Sequence, residues 1–276
     1  MKTWFEGLSD SNLNKTAVIK TPDFYIQETL YELEGTYASA GETFTFSGAS
    51  FTVDEFISAG VDNILVIDDN GKVASTIITD NDATTVTIVA ANLLLEEDAT
   101  TAATLTDTNT YTVRILTPGT SSQPYGKFFG YTEAVDLAIT DEYAKFKYSV
   151  PRSLKFKDLL ERQTVLSGGD INIASKDVLQ TLFGAAEYGL NDSTNFSLGI
   201  GSNPGSSPAY RIWLVGTDRN GGNLIWRLNQ GQFESTGSVL GDAESGHKLA
   251  NFTIDALSDG FYPADSDMVI VTGVIN

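Results

Sequence analysis

The residue types that most often carry catalysis or hold metals are scarce in this chain. Its 276 residues include no cysteine and a single histidine, His247. Without thiols or a second imidazole, the chain has neither a cysteine nucleophile nor a Cys/His metal site. A Ser-His-acid triad would have to use His247, and no strained nucleophile elbow accompanies it. We therefore expect a protein that is not an enzyme and needs no metal or other cofactor.

Three short motifs have spacings that suggest ligand sites. Asp68-Asp69-Asn70-Gly71 and Asp80-Asn81-Asp82 are similar to acidic calcium loops, but strands are predicted on both sides and no Glu stands at the twelfth position. Gly199-Ile200-Gly201 opens no helix and lacks the Lys-Ser/Thr pair of a phosphate-binding loop. Paired acids for glycoside cleavage cannot be singled out, because acids are abundant everywhere. We interpret these motifs as turns and surface loops.

The charge balance of the chain is strongly acidic. Lys and Arg number 17 against 36 Asp and Glu, which gives a formal net charge of −19. A protein that grips nucleic acid by its phosphates needs a basic surface, so this class is excluded. The first residues contain no apolar signal-peptide core, and no run of eighteen apolar residues occurs. Neither secretion by a signal peptide nor a membrane span is therefore expected.

One segment of this acidic chain is rich in basic residues. Six of the 17 bases fall within eighteen residues: Lys145, Lys147, Arg152, Lys155, Lys157 and Arg162. We predict that residues 143–162 form a loop between two strands. This loop is either solvated, with Asp158 and Glu161 as local partners, or a contact loop for an acidic surface on another copy of the chain. A contact of the second kind is heterologous, so it propagates into rings or stacks.

The elements that position these residues are predicted to be almost entirely β-strands. The 25 glycines and many short Val, Ile, Thr, Tyr and Phe runs are typical of an all-β chain. Strands are expected at 43–46, 63–67, 73–78, 85–89, 110–116, 131–140, 162–174, 210–216, 224–229, 248–256 and 268–275. Several of them alternate apolar with small or polar residues, which gives one dry and one polar face. One short helix is predicted over Ser175–Ala186.

Three parts are predicted along the chain. Residues 1–40 form an N-terminal arm and a first strand, 41–117 an inserted acidic β module, and 118–276 the main β domain. The middle part holds twelve acids and two bases, a net charge of −10, and a hairpin signal at Asn70-Gly71. Its acids favour a solvated position that projects outward. Whether the arm packs on its own subunit or on a neighbour stays open.

The order of elements in residues 123–276 resembles the tail tube (major tail) proteins of long-tailed bacteriophages and related injection systems. The resemblance is carried by residues 128–137, the charged segment 145–157, a strand ending at 169–173, a short helix from Ser175 and a strand ending at 256–259. It implies a curved β-sheet, or half-barrel, that joins copies of itself into an oligomeric β-barrel. Hexameric rings of this kind stack into a hollow tube through which DNA passes.

The resemblance also implies roles for particular residues. The basic segment would make the contact between rings. Small or acidic side chains would line the lumen and repel phosphates: Thr132, Asp136, Asp170, Asn172, Thr253 and Asp255. The partners would be further copies of the chain and the tape measure, terminator and distal tail proteins, while DNA transits without specific binding. The protein would reside in the virion tail, and in the host cytoplasm during assembly.

A second function remains open at this point. The chain is alternatively a carbohydrate- or surface-binding β-sandwich module of a virion or cell surface. Exposure of Trp213, Trp226 and Tyr210 on one face would favour this alternative, whereas burial of all three would favour the tube.

Overall fold

A computed structural model describes residues 20–67, 72–96, 100–132, 135–147, 154–173, 186–191, 196–199, 209–217, 223–234, 239–242, 246–256 and 269–273. This part of the chain is built from strands and one 3₁₀ turn, Ala90–Asn92, which confirms the all-β prediction. The arm residues 1–19 and the predicted helix residues 175–185 lie outside it, and Ala186 begins a strand. No helix among the described residues has the length and apolar character needed to span a membrane.

The first half of the chain carries eight strands. They are β1 (Lys20–Ala38), β2 (Thr43–Phe46), β3 (Ile64–Ile67), β4 (Val73–Thr76), β5 (Ile78–Asn81), β6 (Thr85–Ile88), β7 (Leu94–Leu95) and β8 (Thr110–Leu116). The second half carries β9 (Lys127–Thr132), β10 (Val135–Lys147), β11 (Leu154–Ile173), β12 (Ala186–Asn191), β13 (Phe196–Gly199), β14 (Ala209–Thr217), β15 (Asn223–Glu234), β16 (Val239–Asp242), β17 (Gly246–Ala256) and β18 (Val269–Gly273). All but β12 and β13, which pair with each other, belong to one large sheet.

Six strands of this sheet pair in a circuit, which we call the body. β1 pairs with β14, β14 with β15, β15 with β17, β17 with β11, β11 with β9 and β9 again with β1, always antiparallel. Each of the six contributes to one apolar core, which includes Phe24, Phe129, Leu166, Ile212, Trp226 and Ile254. β10 and the strands from β8 to β7 lie outside this circuit, and the strand order of the whole sheet ends at β10 on one side and at β7 on the other.

The strands β2 to β8 form a second unit, which we call the module. β8, β3, β4 and β7 are successive neighbours on one side of β1, and β2, β6 and β5 follow on the other. Its core is rich in aromatic rings in edge-to-face contact, with ring centroids 5.1 Å apart for Phe51 and Phe56. Tyr37 of β1 belongs to this core as well. The module therefore takes a central strand from residues 1–40, the segment predicted to hold the arm and a first strand.

β1 changes faces where it passes from body to module. Phe24 and Ile26 enter the body core, whereas Tyr31 and Leu33 pack on the module core. The inward positions shift from even to odd numbers at a register irregularity between Thr29 and Tyr31. An extra residue in one strand of an antiparallel pair moves all following side chains to the opposite face. The bulge thus allows one strand to serve two cores.

The loop before β3 and the connection between β8 and β9 lie unusually close together. The Val61 N–H donates to the carbonyl of Pro124 at 2.8 Å, and the Ala59 N–H donates to that of Gly119 at 2.8 Å. A Cβ atom on Gly60 would lie 2.0 Å from the Pro124 oxygen. Only a glycine fits between these two backbone segments.

We expect Gly60→Ala to lower the free energy of unfolding by about 2 kcal/mol, because the added methyl group forces two hydrogen-bonded backbones apart. Gly41→Ala is the matched control, since its Cβ would meet Thr43 at an ordinary 3.5 Å. Urea denaturation of both variants measures the effect. An unchanged midpoint for Gly60→Ala would show that the two segments separate easily.

Candidate assembly surface

The basic segment lies on a long β-hairpin that leaves the body. β10 and β11 pair from Val135 opposite Gly168 to Lys147 opposite Leu154. β11 pairs with β17 only from Val165 onward, so residues 154–164 have β10 as their one neighbour among the described strands. Eight to eleven residues at strand spacing give this part of the ribbon a length of roughly 25–35 Å.

The prediction of a loop over 143–162 is therefore wrong for residues 143–147 and 154–162, which are strand. Residues 148–153, including Arg152, lie outside the described part. Lys145, Lys147, Lys155, Lys157 and Arg162 all occupy strand positions, and Lys145 stands opposite Lys157. The sequence held a signal for this: Lys-Phe-Lys occurs at both 145–147 and 155–157, with Pro151 between them.

The ribbon has open edges. Antiparallel pairing uses one side of each strand, and within the described chain no strand covers the outer side of β10 or that of residues 154–164 of β11. The outer side of β16, which pairs with β17, is likewise uncovered by any described strand. Unpaired N–H and C=O groups along such edges are templates for a strand from another chain.

Three rows of residues cross the sheet from β10 to β15. The row of Leu137, Leu166, Ile254 and Phe233 includes three side chains buried in the body core. Directly opposed residues share a face and adjacent rows alternate. The rows on either side therefore occupy the outer face, with Ser167 and Thr253 in one row and Val165, Asp255 and Gln232 in the other.

The structure places two of the six predicted lumen residues, Thr253 and Asp255, on this outer face, while Asp136 stands opposite Ser167 in β10. Asp170 and Asn172 lie farther along β11 and do not join these rows; Asn172 is opposite Lys248 and Tyr131. Thr132 is the last described residue of β9 and is only 1% exposed. β9 and β10 pair with β11 in one continuous register on either side of residues 133–134, which lie outside the described part, and this agrees with the strand predicted over 131–140. The buried Thr132 does not fit a solvent-facing role.

The three aromatic residues that would mark a carbohydrate platform are buried. The exposed fraction is 1% for Trp213, 8% for Trp226 and 4% for Tyr210. Trp213 donates its indole N–H to the Gln27 side-chain oxygen at 2.9 Å. Tyr210 and Trp226 belong to the body core. These residues form no exposed stacking surface.

The second acidic motif forms a turn. Asp82 Oδ1 accepts the backbone N–H groups of Thr84 and Thr85 at 2.7 Å each, which holds the pKa of the Asp82 carboxyl below its ordinary value. Asn81 is buried and accepts the Phe56 N–H.

The first acidic motif, residues 68–71, lies outside the described part of the chain. Within the described part, no group of three or more potential metal-ligating residues occurs. His247 stands opposite Gly241 near the start of β17.

Sequence reasoning missed a buried charge cluster between module and body. Glu96, just after β7, lies 2.6 Å from the Arg227 guanidinium and 3.7 Å from that of Arg211. The Ser75 hydroxyl contacts Glu96 and lies 2.9 Å from Asp62 Oδ2. The only signal in the sequence is an arginine inside each of two apolar strands, β14 and β15.

Comparison of the chain with protein-family models gives no match, and a comparison with curated protein sequences gives none either.

We expect Asp82→Ala to destabilise the module at pH 7, with an effect that fades in acid. Because the folded pKa lies below the ordinary value of 3.8, the carboxylate contributes stability above that pH and loses it as the pH falls through the folded pKa. Urea midpoints of wild type and variant should differ at pH 7 and converge near pH 2. Asp80→Ala, on the exposed neighbour, is the control; a difference that persists in acid would contradict a charge-dependent turn.

Proposed function

We propose that this chain is a structural protein that assembles with copies of itself into the stacked hexameric rings of a phage tail tube. The observation that carries the proposal is the β10–β11 ribbon, whose outer edges no described strand covers. The resemblance of residues 123–276 to tail tube proteins is the basis for three parts of this proposal: the tube, its rings of six copies and the passage of DNA through its bore.

The edges of the ribbon support self-assembly because the body uses its other strands internally. β1, β9, β14, β15 and β17 have described neighbours on both sides over part of their length. Within the described chain, open backbone groups for a neighbouring copy lie at β10, the outer half of β11 and β16, and also at β5, β7 and β18, which pair on one side only. Pairing between copies satisfies these groups and removes an aggregation-prone edge.

Charge supports a contact between different surfaces of identical copies. Bases at Lys145, Lys147, Lys155 and Lys157 lie on the outer half of a ribbon that belongs to a chain of net charge −19. The module sequence, 41–117, carries −10 of that charge. A basic ribbon against an acidic surface is complementary, and because the two surfaces differ the contact repeats from copy to copy.

The outer face of the four-stranded region suits the wall of a bore. Thr253 and Asp255 place a small and an acidic residue there, and an acidic residue repels phosphates. In this proposal DNA slides past without specific binding, and no catalytic residue is needed. The tape measure, terminator and distal tail proteins would be partners at the ends of the tube, in the virion or in the host cytoplasm during assembly.

The carbohydrate-binding alternative lacks a supporting observation in the described residues. Its aromatic platform would use Trp213, Trp226 and Tyr210, and these side chains are buried. We therefore put forward self-assembly alone.

The first test shortens the ribbon. Replacing residues 143–160 by Asn-Gly joins Glu142 to Glu161, two residues that already stand opposite each other, through a favourable hairpin turn. The deleted strand residues pair only within the ribbon, so the body should fold as in wild type by circular dichroism. Negative-stain microscopy should show hollow rods for the full chain and dispersed particles for the shortened one. Rods from the shortened chain, or none from the full chain under any condition, would overturn the proposal.

The second test reverses charge without altering length. The double variant Lys155→Glu and Lys157→Glu should raise the protein concentration needed for rod formation at least about tenfold, because the ribbon then repels an acidic neighbour. Lys72→Glu, an exposed base in the module, is the control. Sedimentation at graded concentrations gives the threshold. If the double variant assembles like wild type, the basic residues are only solvated.

A further inference from the structure

The body and the module have separate apolar cores. The body core draws on β1, β9, β11, β14, β15 and β17, whereas the module core is built from β2 to β8, their loops and the second half of β1. One smaller cluster crosses the boundary and receives only Val61 from the module side, against Tyr25, Trp213 and Ile225 of the body. A shared core therefore does little to fix how the two units sit together.

Charged groups cross the same boundary. The body contributes two arginines, Arg211 and Arg227, whose side chains are each 1% exposed. The module contributes Glu96, which is 6% exposed and lies between them, and Asp62, which Ser75 links to Glu96. The body alone has two positive charges at this boundary, and the module alone has two negative charges. When the two units are in contact, the net charge of these four side chains is zero.

The joint beside the cluster is held by polar contacts. The buried Gln27 donates to the carbonyls of Asp62 at 3.2 Å and Thr117 at 3.1 Å, and its oxygen accepts the Trp213 indole N–H. The β1 bulge at Thr29–Tyr31 follows directly, and residues 117–126 form the second covalent connection. The module is thus joined to the body by two chain segments, β1 and residues 117–126, and by these hydrogen bonds. The two segments are where the module could turn relative to the body.

We propose that Glu96, Arg211 and Arg227 form a charge latch that holds the module against the body. The closed arrangement depends on Glu96, because a buried charge is tolerated only when it is paired. With a neutral group at position 96, two guanidinium groups would stay buried with one fewer carboxylate beside them. Opening the joint hydrates them, so the equilibrium moves toward a module that swings about β1. The latch is independent of tube assembly.

Native-state proteolysis of the full chain tests the latch. Thermolysin cuts before apolar residues, and it should cut before Val61 or Leu116, which are 5% and 2% exposed beside the joint, only when the joint opens; mass spectrometry identifies these cuts. We expect Glu96→Gln, which keeps the shape and removes the charge, to raise the rate of cleavage at these sites roughly a hundredfold. Glu32→Gln is the matched control, because Glu32 pairs with Arg114 at 2.6 Å on the exposed face of the module. Its rate should stay within about threefold of wild type.

A second variant covers the case in which Glu96→Gln does not fold. Arg211→Gln removes the partner at the longer distance, 3.7 Å, and should give a smaller increase at the same two sites. Equal cleavage rates for Glu32→Gln and whichever latch variant folds would overturn the proposal. Because proteolysis reports on the single chain, a failure here is distinguishable from a failure to form rods.

Discussion

The structure depends on one strand that serves two cores. β1 pairs with β14 and β9 in its first half and with β8 and β2 in its second half. Its alternation places Phe24 and Ile26 in the body core, and the bulge after Thr29 then turns Tyr31 and Leu33 into the module core. Because a strand presents only two faces, a shift of one residue is the smallest change that redirects it. Strands of both units pair directly with β1, so β1 sets the pairing register in the body and in the module.

Local patterns in the sequence predicted much of the fold. The strands expected at 43–46, 85–89 and 110–116 agree closely with β2, β6 and β8, since their alternation matches a half-buried sheet. The hairpin at 143–162 was missed because its Lys-Phe-Lys runs read as a charged loop, although the period of two was present. The length of β1 was also missed, because pairing with partners far along the chain decides where a strand ends.

The sequence predicted which kinds of residue lie on the candidate surface better than it predicted where each of them lies in the fold. Thr253 and Asp255 lie on the outer face as alternation predicts, whereas Thr132 is buried. The Glu96 cluster gave almost no signal, because its arginines stand more than a hundred residues from Glu96 and only the folded sheet brings them together. Buried polar pairs of this kind are set by tertiary packing, which a local pattern does not contain.

The charges along the β10–β11 ribbon are sorted by distance from the body. Near its root, Glu142 stands opposite Glu161 and Asp141 opposite Arg162, while Lys145 opposite Lys157 and then Lys147 lie toward the free end. The ribbon is therefore polarised, negative at its root and positive at its end. Two ribbons meeting end to end repel, and an end meeting a root attracts. A contact made through this element therefore has a preferred alignment, in which the end of one ribbon meets the root of another.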